Sequence, residues 1–145
     1  MKRLALVATV LALGGSFAFA QQDPIAARRA LMKKNGDEAK IGTQFMKGEA
    51  PFDLAKAKAI FAAYQDAASK APNLFPDNSK TGGETAALPA IWEKKDDFNA
   101  KLKKFGEDAK EAEGKVTDEV SFKATFPNVQ KNCGGCHETY RMKKS

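Results

Sequence analysis

The stretch KNCGGCHETYR, residues 131–141, holds both cysteines of the chain and its only histidine, with Cys133, Cys136 and His137 inside five consecutive positions. Thiols and an imidazole at this spacing can do three kinds of chemistry. Structural zinc needs four ligands, and the chain has no further cysteine or histidine to complete a set. A thioredoxin-like redox pair wants a strand-to-helix context, whereas the surrounding sequence reads as helix. Covalent haem attachment needs two thiols about one helical turn apart, so that both reach the vinyl groups of one porphyrin, and a histidine directly after them to ligate iron. Cys133, Cys136 and His137 meet that demand. Gly134 and Gly135 between them leave room for a flat, bulky group to approach the backbone. A disulfide between the two cysteines would close a tiny loop and stabilise little.

The elements that must position this cluster follow from apolar periodicity. Asp23 as N-cap and Pro24 at the first helical position open a helix from about 24 to 47, stopped by Gly48 and Pro51. Its small-to-apolar stripe runs through Ile25, Met32, Gly36, Ala39, Thr43 and Met46. A second helix, capped near Asp53 and ending before Pro72, puts Leu54, Ala57, Phe61, Tyr64, Ala68 and Ala71 on one face. Residues 72–90 carry three prolines and two glycines without a period, and so read as a long loop that covers something. A third helix places Ile91, Phe98, Phe105 and Ala112 seven residues apart, with Leu102 and Ala109 between them. Gly114 ends it. Thr117 and Asp118 cap the last segment, where Pro127 predicts a kink or a restart and Val129, Cys133, Cys136 and Tyr140 share a face. No stretch alternates as a strand does. Four helices with a long central connection specify an all-α, antiparallel four-helix bundle.

Residues 1–20 have the three parts of an export signal: Lys2 and Arg3, an apolar run from Leu4 to Leu13, and a small-x-small pattern at Ala18 and Ala20. The mature chain is then residues 21–145, one domain, and the run is too short to stay in a bilayer about 30 Å thick. Without Lys2 and Arg3 the formal charge falls from +6 to +4. That mildly basic surface suits acidic partner proteins. Its lysines are scattered among acids without interleaved aromatics, which weighs against nucleic-acid binding.

Taken with MKGEAPFD between the first two helices and GGETAALPAIW entering the third, CGGCHETYR near the C-terminus resembles the cytochrome c-prime family over essentially all of the mature chain. The resemblance implies a single covalent haem c inside the bundle, attached to the last helix through Cys133 and Cys136, with His137 as proximal ligand. Counting back from the Lys-Gly that ends the first helix, Met32 falls where the family's distal residue approaches iron. Many members carry leucine or another non-ligating residue there and are high-spin; a smaller group carries methionine and is low-spin. Met142 lies too close to His137 on the same helix to cross the ring, and Met46 lies at the far end of the bundle. Packing is the alternative role for Met32. Arg28, four residues before it, could pair with a propionate or face solvent, and Glu84 and Arg141 are similar haem-binding candidates by resemblance. Trp92, Phe61, Phe98, Phe105 and Phe126 read as core.

With methionine on iron, the expected function is periplasmic one-electron transfer to and from other redox proteins. No catalytic dyad accompanies the cluster, so no enzyme activity is expected. With an open sixth position, the expected function is binding of nitric oxide or carbon monoxide. A homodimer through the first two helices is implied by the resemblance alone.

Overall fold

The computed structural model describes residues 23–143, so the expected export signal lies outside the described residues. Four long helices are present: α1 (Pro24–Lys47), α2 (Leu54–Lys70), α4 (Lys95–Lys115) and α5 (Glu119–Tyr140), with a single turn, α3 (Ala90–Glu93), before α4. They form the expected antiparallel bundle.

Each long helix except α4 starts on an aspartate. The Asp23 carboxylate accepts from the Ile25 amide at 2.9 Å, Asp53 from Lys56 at 3.0 Å, and Asp118 from Ser121 at 2.8 Å. Each bond satisfies a first-turn N–H that would otherwise have no partner. Ser121 returns the bond to the Asp118 backbone, completing a capping box. At the other end of α1, Gly48 adopts φ +69°, a left-handed cap that glycine takes without strain. α5 runs through Pro127 as one helix, without the expected restart.

α2 packs on α4, α4 on α5 and α1 on α2, whereas α1 and α5 meet at few points. Two apolar clusters fill the interior. The larger joins Phe45, Phe61, Tyr64, Phe105, Phe122 and Phe126 with neighbouring small residues. The smaller joins Ala71, Ile91, Phe98, Leu102 and Tyr140, and Leu31, Phe75, Trp92 and Cys136 pack against it. The five aromatics expected as core are placed in these clusters or against them.

The inward face of α1 is rotated from the expected stripe. Ile25, Arg28, Gly42 and Phe45 are buried, while Gly36 and Thr43 are exposed and Met32 is 37% exposed. A stripe drawn through apolar and small residues missed this face because its middle is polar: Arg28, Asn35 and Glu38 lie along it, half-buried or deeper. Gly42 is required there, since a Cβ would come within 2.3 Å of the Phe126 ring.

The expected loop is more structured than its composition suggests. It opens with two 3-10 turns, Ala71–Leu74 and Asp77–Ser79. Its far end pairs with the end of α5: Leu88 donates to the Tyr140 carbonyl at 3.0 Å and Met142 to that of Ala86 at 2.9 Å.

Candidate functional site

Cys133, Cys136 and His137 stand on the last two turns of α5, each half-buried. Both thiols are free. Cys136 packs against the smaller apolar cluster and Cys133 against the larger, so the pair spans the junction between them. Burial pushes both thiols up from their ordinary value, which keeps them protonated near neutrality. Burial, and secondarily the charge of Arg141, pushes His137 down, which keeps the imidazole neutral and able to offer a lone pair.

The wall opposite is α1. Gly42 lies against Phe126, and Leu31 packs on the cluster that also receives Cys136. Leu31 and Cys136 thus meet at the same apolar cluster from the two helices. Asn35 Oδ1 is buried without a hydrogen-bond partner among the described residues, an arrangement proteins rarely leave unexplained. Met32 is 37% exposed on α1. Met46 packs against the larger cluster, as expected; Met142, expected on the same helix as His137, lies instead just beyond the end of α5 and is 46% exposed.

Arg28 does something the sequence reading did not foresee. Its Nη1 donates to the Leu74 carbonyl at 3.2 Å and to Ser79 Oγ at 2.9 Å; its Nη2 donates to the Ser79 carbonyl at 2.9 Å and to Thr85 Oγ1 at 2.6 Å. The guanidinium also lies over the rings of Phe75 and Trp92, at 4.9 and 5.8 Å. It is 5% exposed, so it does not face solvent as one expectation allowed; here the guanidinium clamps the loop to α1. Desolvation pushes it down from its ordinary value, opposed by Asp23.

Glu84 pairs with Arg29 at 2.5 Å on an exposed surface. Arg141 is exposed just past α5, where its backbone bridges to Ala87. Gly134 and Gly135 are exposed, and a Cβ on either would meet nothing within 4 Å. No protein contact therefore calls for glycine at those two positions.

Three side-chain hydrogen bonds, which bring in Gln130 and Asp97, escaped the sequence reading. Gln130 Nε2 donates to the Tyr64 hydroxyl at 2.7 Å, and Cys133 Sγ donates to Gln130 Oε1 at 3.7 Å. Tyr140 donates to Asp97 Oδ2 at 2.5 Å, tying the end of α5 to α4. Burial, then the Asp97 carboxylate, pushes that hydroxyl up to about 12. Gln130 stands three residues before Cys133, so its place on the inward face was available from spacing; its partner on α2 was not.

The donor set fits a macrocycle that takes two thiols and one imidazole. The apolar residues around Cys136, the junction between the clusters and the sparse meeting of α1 with α5 suit a flat apolar group better than a compact ion. Among the described residues no three His, Cys, Asp or Glu side chains converge as ligands of one metal ion. Among them, too, no helix is long and apolar enough to cross a membrane.

Comparison with known proteins gives the same direction. The family model described as Cytochrome C' matches residues 23–141. A curated relative, cytochrome c' of Rhodopseudomonas palustris, is 46% identical over 143 residues, covering 99% of this chain and 98% of its own. Cytochrome c-556 of the same organism is 33% identical over 148 residues, covering 99% of both chains. A solved structure of cytochrome c' from Rhodopseudomonas palustris superposes with a TM-score of 0.83 at 46% identity, covering 86% of this chain and all of that one.

Proposed function

We propose that this chain, which belongs to the cytochrome c-prime family, is a periplasmic one-electron carrier whose single haem c is held by Cys133, Cys136, His137 and Met32. A covalently attached c-type haem is the family's cofactor, and its members are electron carriers or gas binders. The observation that supports the electron-transfer reading is that Cys133, Cys136 and His137 stand half-buried together on the last two turns of α5, with Cys136 and Leu31, the neighbour of Met32 on α1, packed against the same apolar cluster.

When bound, the haem supplies an iron that cycles between ferric and ferrous states. The chain's own residues set the conditions. Cys133 and Cys136 anchor the group to one helix; His137 offers the neutral imidazole; Leu31, Phe98 and Leu102 keep water from the apolar side. Met32, on α1, would bring its thioether inward as sixth ligand, favouring the reduced state. Residues 1–20 would be removed on export, leaving a mature domain of 21–145 that exchanges electrons with other periplasmic redox proteins. A homodimer through α1 and α2 is the assembly the family implies, and sedimentation of the mature protein tests it.

The second reading is a gas binder. It is favoured by the exposure of Met32 and by the 46% identity to a cytochrome c'. An absorption spectrum of the reduced protein, with and without carbon monoxide, separates the two. An unchanged low-spin spectrum supports electron transfer; rapid, tight binding supports the alternative. Met32→Ala should convert a low-spin spectrum to a high-spin one, and a spectrum indifferent to that change removes the ligand assignment.

A further inference from the structure

The attachment chemistry does not account for the polar chain that leads away from Cys133. Tyr64 is wholly buried on α2, yet its hydroxyl accepts from Gln130 Nε2 at 2.7 Å, and the same amide accepts from Cys133 Sγ through its oxygen. A buried hydroxyl and a half-buried amide among aromatic rings cost free energy unless they are satisfied. The chain links α2 to the first attachment residue by side chains alone.

Resting on the haem-attachment reading above, we propose that Tyr64 and Gln130 form a positioning relay that donates a hydrogen bond to the thioether sulfur of Cys133 and so tunes the potential of the attached haem. The argument is one of donors and acceptors. As a free thiol, Cys133 carries a hydrogen and gives it to the Gln130 oxygen. On attachment its sulfur bonds one vinyl carbon while the thiol hydrogen passes to the other, with no net oxidation. The sulfur can then only accept. The Gln130 oxygen facing it becomes unfavourable, and turning the amide over exchanges its ends: Nε2 donates to the sulfur and Oε1 accepts from Tyr64. Tyr64 can supply that hydrogen because burial holds its hydroxyl well above the ordinary tyrosine value. A hydrogen bond donated to a sulfur on the macrocycle edge withdraws electron density and favours the reduced iron, one of the outer levers on haem potential.

Both partners have near-isosteric replacements, Tyr64→Phe and Gln130→Leu, so packing is kept. Potentiometric titration of the purified holoprotein should show each substitution lowering the midpoint, so that the reduced-to-oxidised ratio at a fixed potential falls by about a factor of two, a fraction of one hydrogen bond's worth. Because Tyr64 acts only through Gln130, the double variant should match Gln130→Leu alone; independent packing effects would instead add. Mass spectrometry of each variant distinguishes the ways of failing. Parent protein lacking the haem mass overturns the attachment reading itself. Fully attached variants whose midpoint matches the parent's, or whose effects add, overturn the relay alone.

Discussion

Replacing Arg28 by lysine keeps the charge and removes the fork. A guanidinium reaches Leu74, Ser79 and Thr85 at once, whereas an ammonium on a flexible stem cannot span them, leaving buried acceptors unpaired. Arg28→Lys should lower stability by about 2 kcal/mol or more, read as a lower denaturant midpoint at unchanged slope; an unmoved midpoint would show that the clamp contributes nothing net. Gly42→Ala tests the closest meeting of α1 with α5. Its methyl would strike the ring of Phe126, which is itself stacked on Phe122 at 4.9 Å. Overpacking of this kind costs about 1–3 kcal/mol, against about 1 kcal/mol gained by removing a helical glycine. A net loss is expected, relieved when Phe126→Leu is added; a stabilised single variant would contradict the close contact. At this scale the cluster of Cys133, Cys136 and His137 could be read as a candidate site because their types and spacing are local. Arg28 was not, since the acceptors that define its role lie 46 to 57 residues away on a loop without a period.

Helix ends are written in short, local codes, and the aspartates at 23, 53 and 118 were readable from sequence for that reason. The Asp118 carboxyl is held below its ordinary value, first by the Ser121 backbone amide and then by the Ser121 hydroxyl. The folded state thus prefers the ionised form. Its contribution is present above the unfolded pKa near 4 and is lost as pH falls through the lower folded value. Asp118→Asn keeps a side-chain acceptor but removes that titration, so the acid limb of a stability profile below about pH 4 should become shallower. Parallel limbs for parent and variant would remove Asp118 as a source of the slope. The face of α1 was harder to read. Periodicity arguments follow apolar residues, and here the inward face carries Arg28, Asn35 and Glu38, so the stripe shifted toward Met32 and Gly36. The third predicted helix likewise hid a break. Lys94 adopts φ −123° and ψ 47° between α3 and α4, although the heptad spacing passes through it unbroken. Ile91 and Phe98 stay buried on either side, so side-chain burial alone could not reveal the interruption.

Among the described residues the packing is uneven, and the unevenness follows the proposed site. α2, α4 and the first half of α5 share the aromatic cluster with Phe45 near the end of α1, while α1 otherwise touches α5 sparsely and presents a buried amide oxygen with no partner among the described residues. A group held between α1 and the end of α5 would supply the contacts this seam lacks, and anything that binds only the folded state stabilises it. Local opening should therefore be cheapest at α1 when the group is missing, because free energies of opening scale with the buried contacts an element makes. Cys133→Ser with Cys136→Ser removes both attachment points while changing one atom in each side chain. Native-state hydrogen exchange on that variant should show amides of α2 and α4 still protected, with α1 exchanging at least tenfold faster than in the attached protein, since even one lost contact worth about 1.4 kcal/mol produces that factor. Uniform loss of protection along all four helices would mean the bundle opens as one unit, and the idea that α1 is the element fastened by the haem would have to be given up.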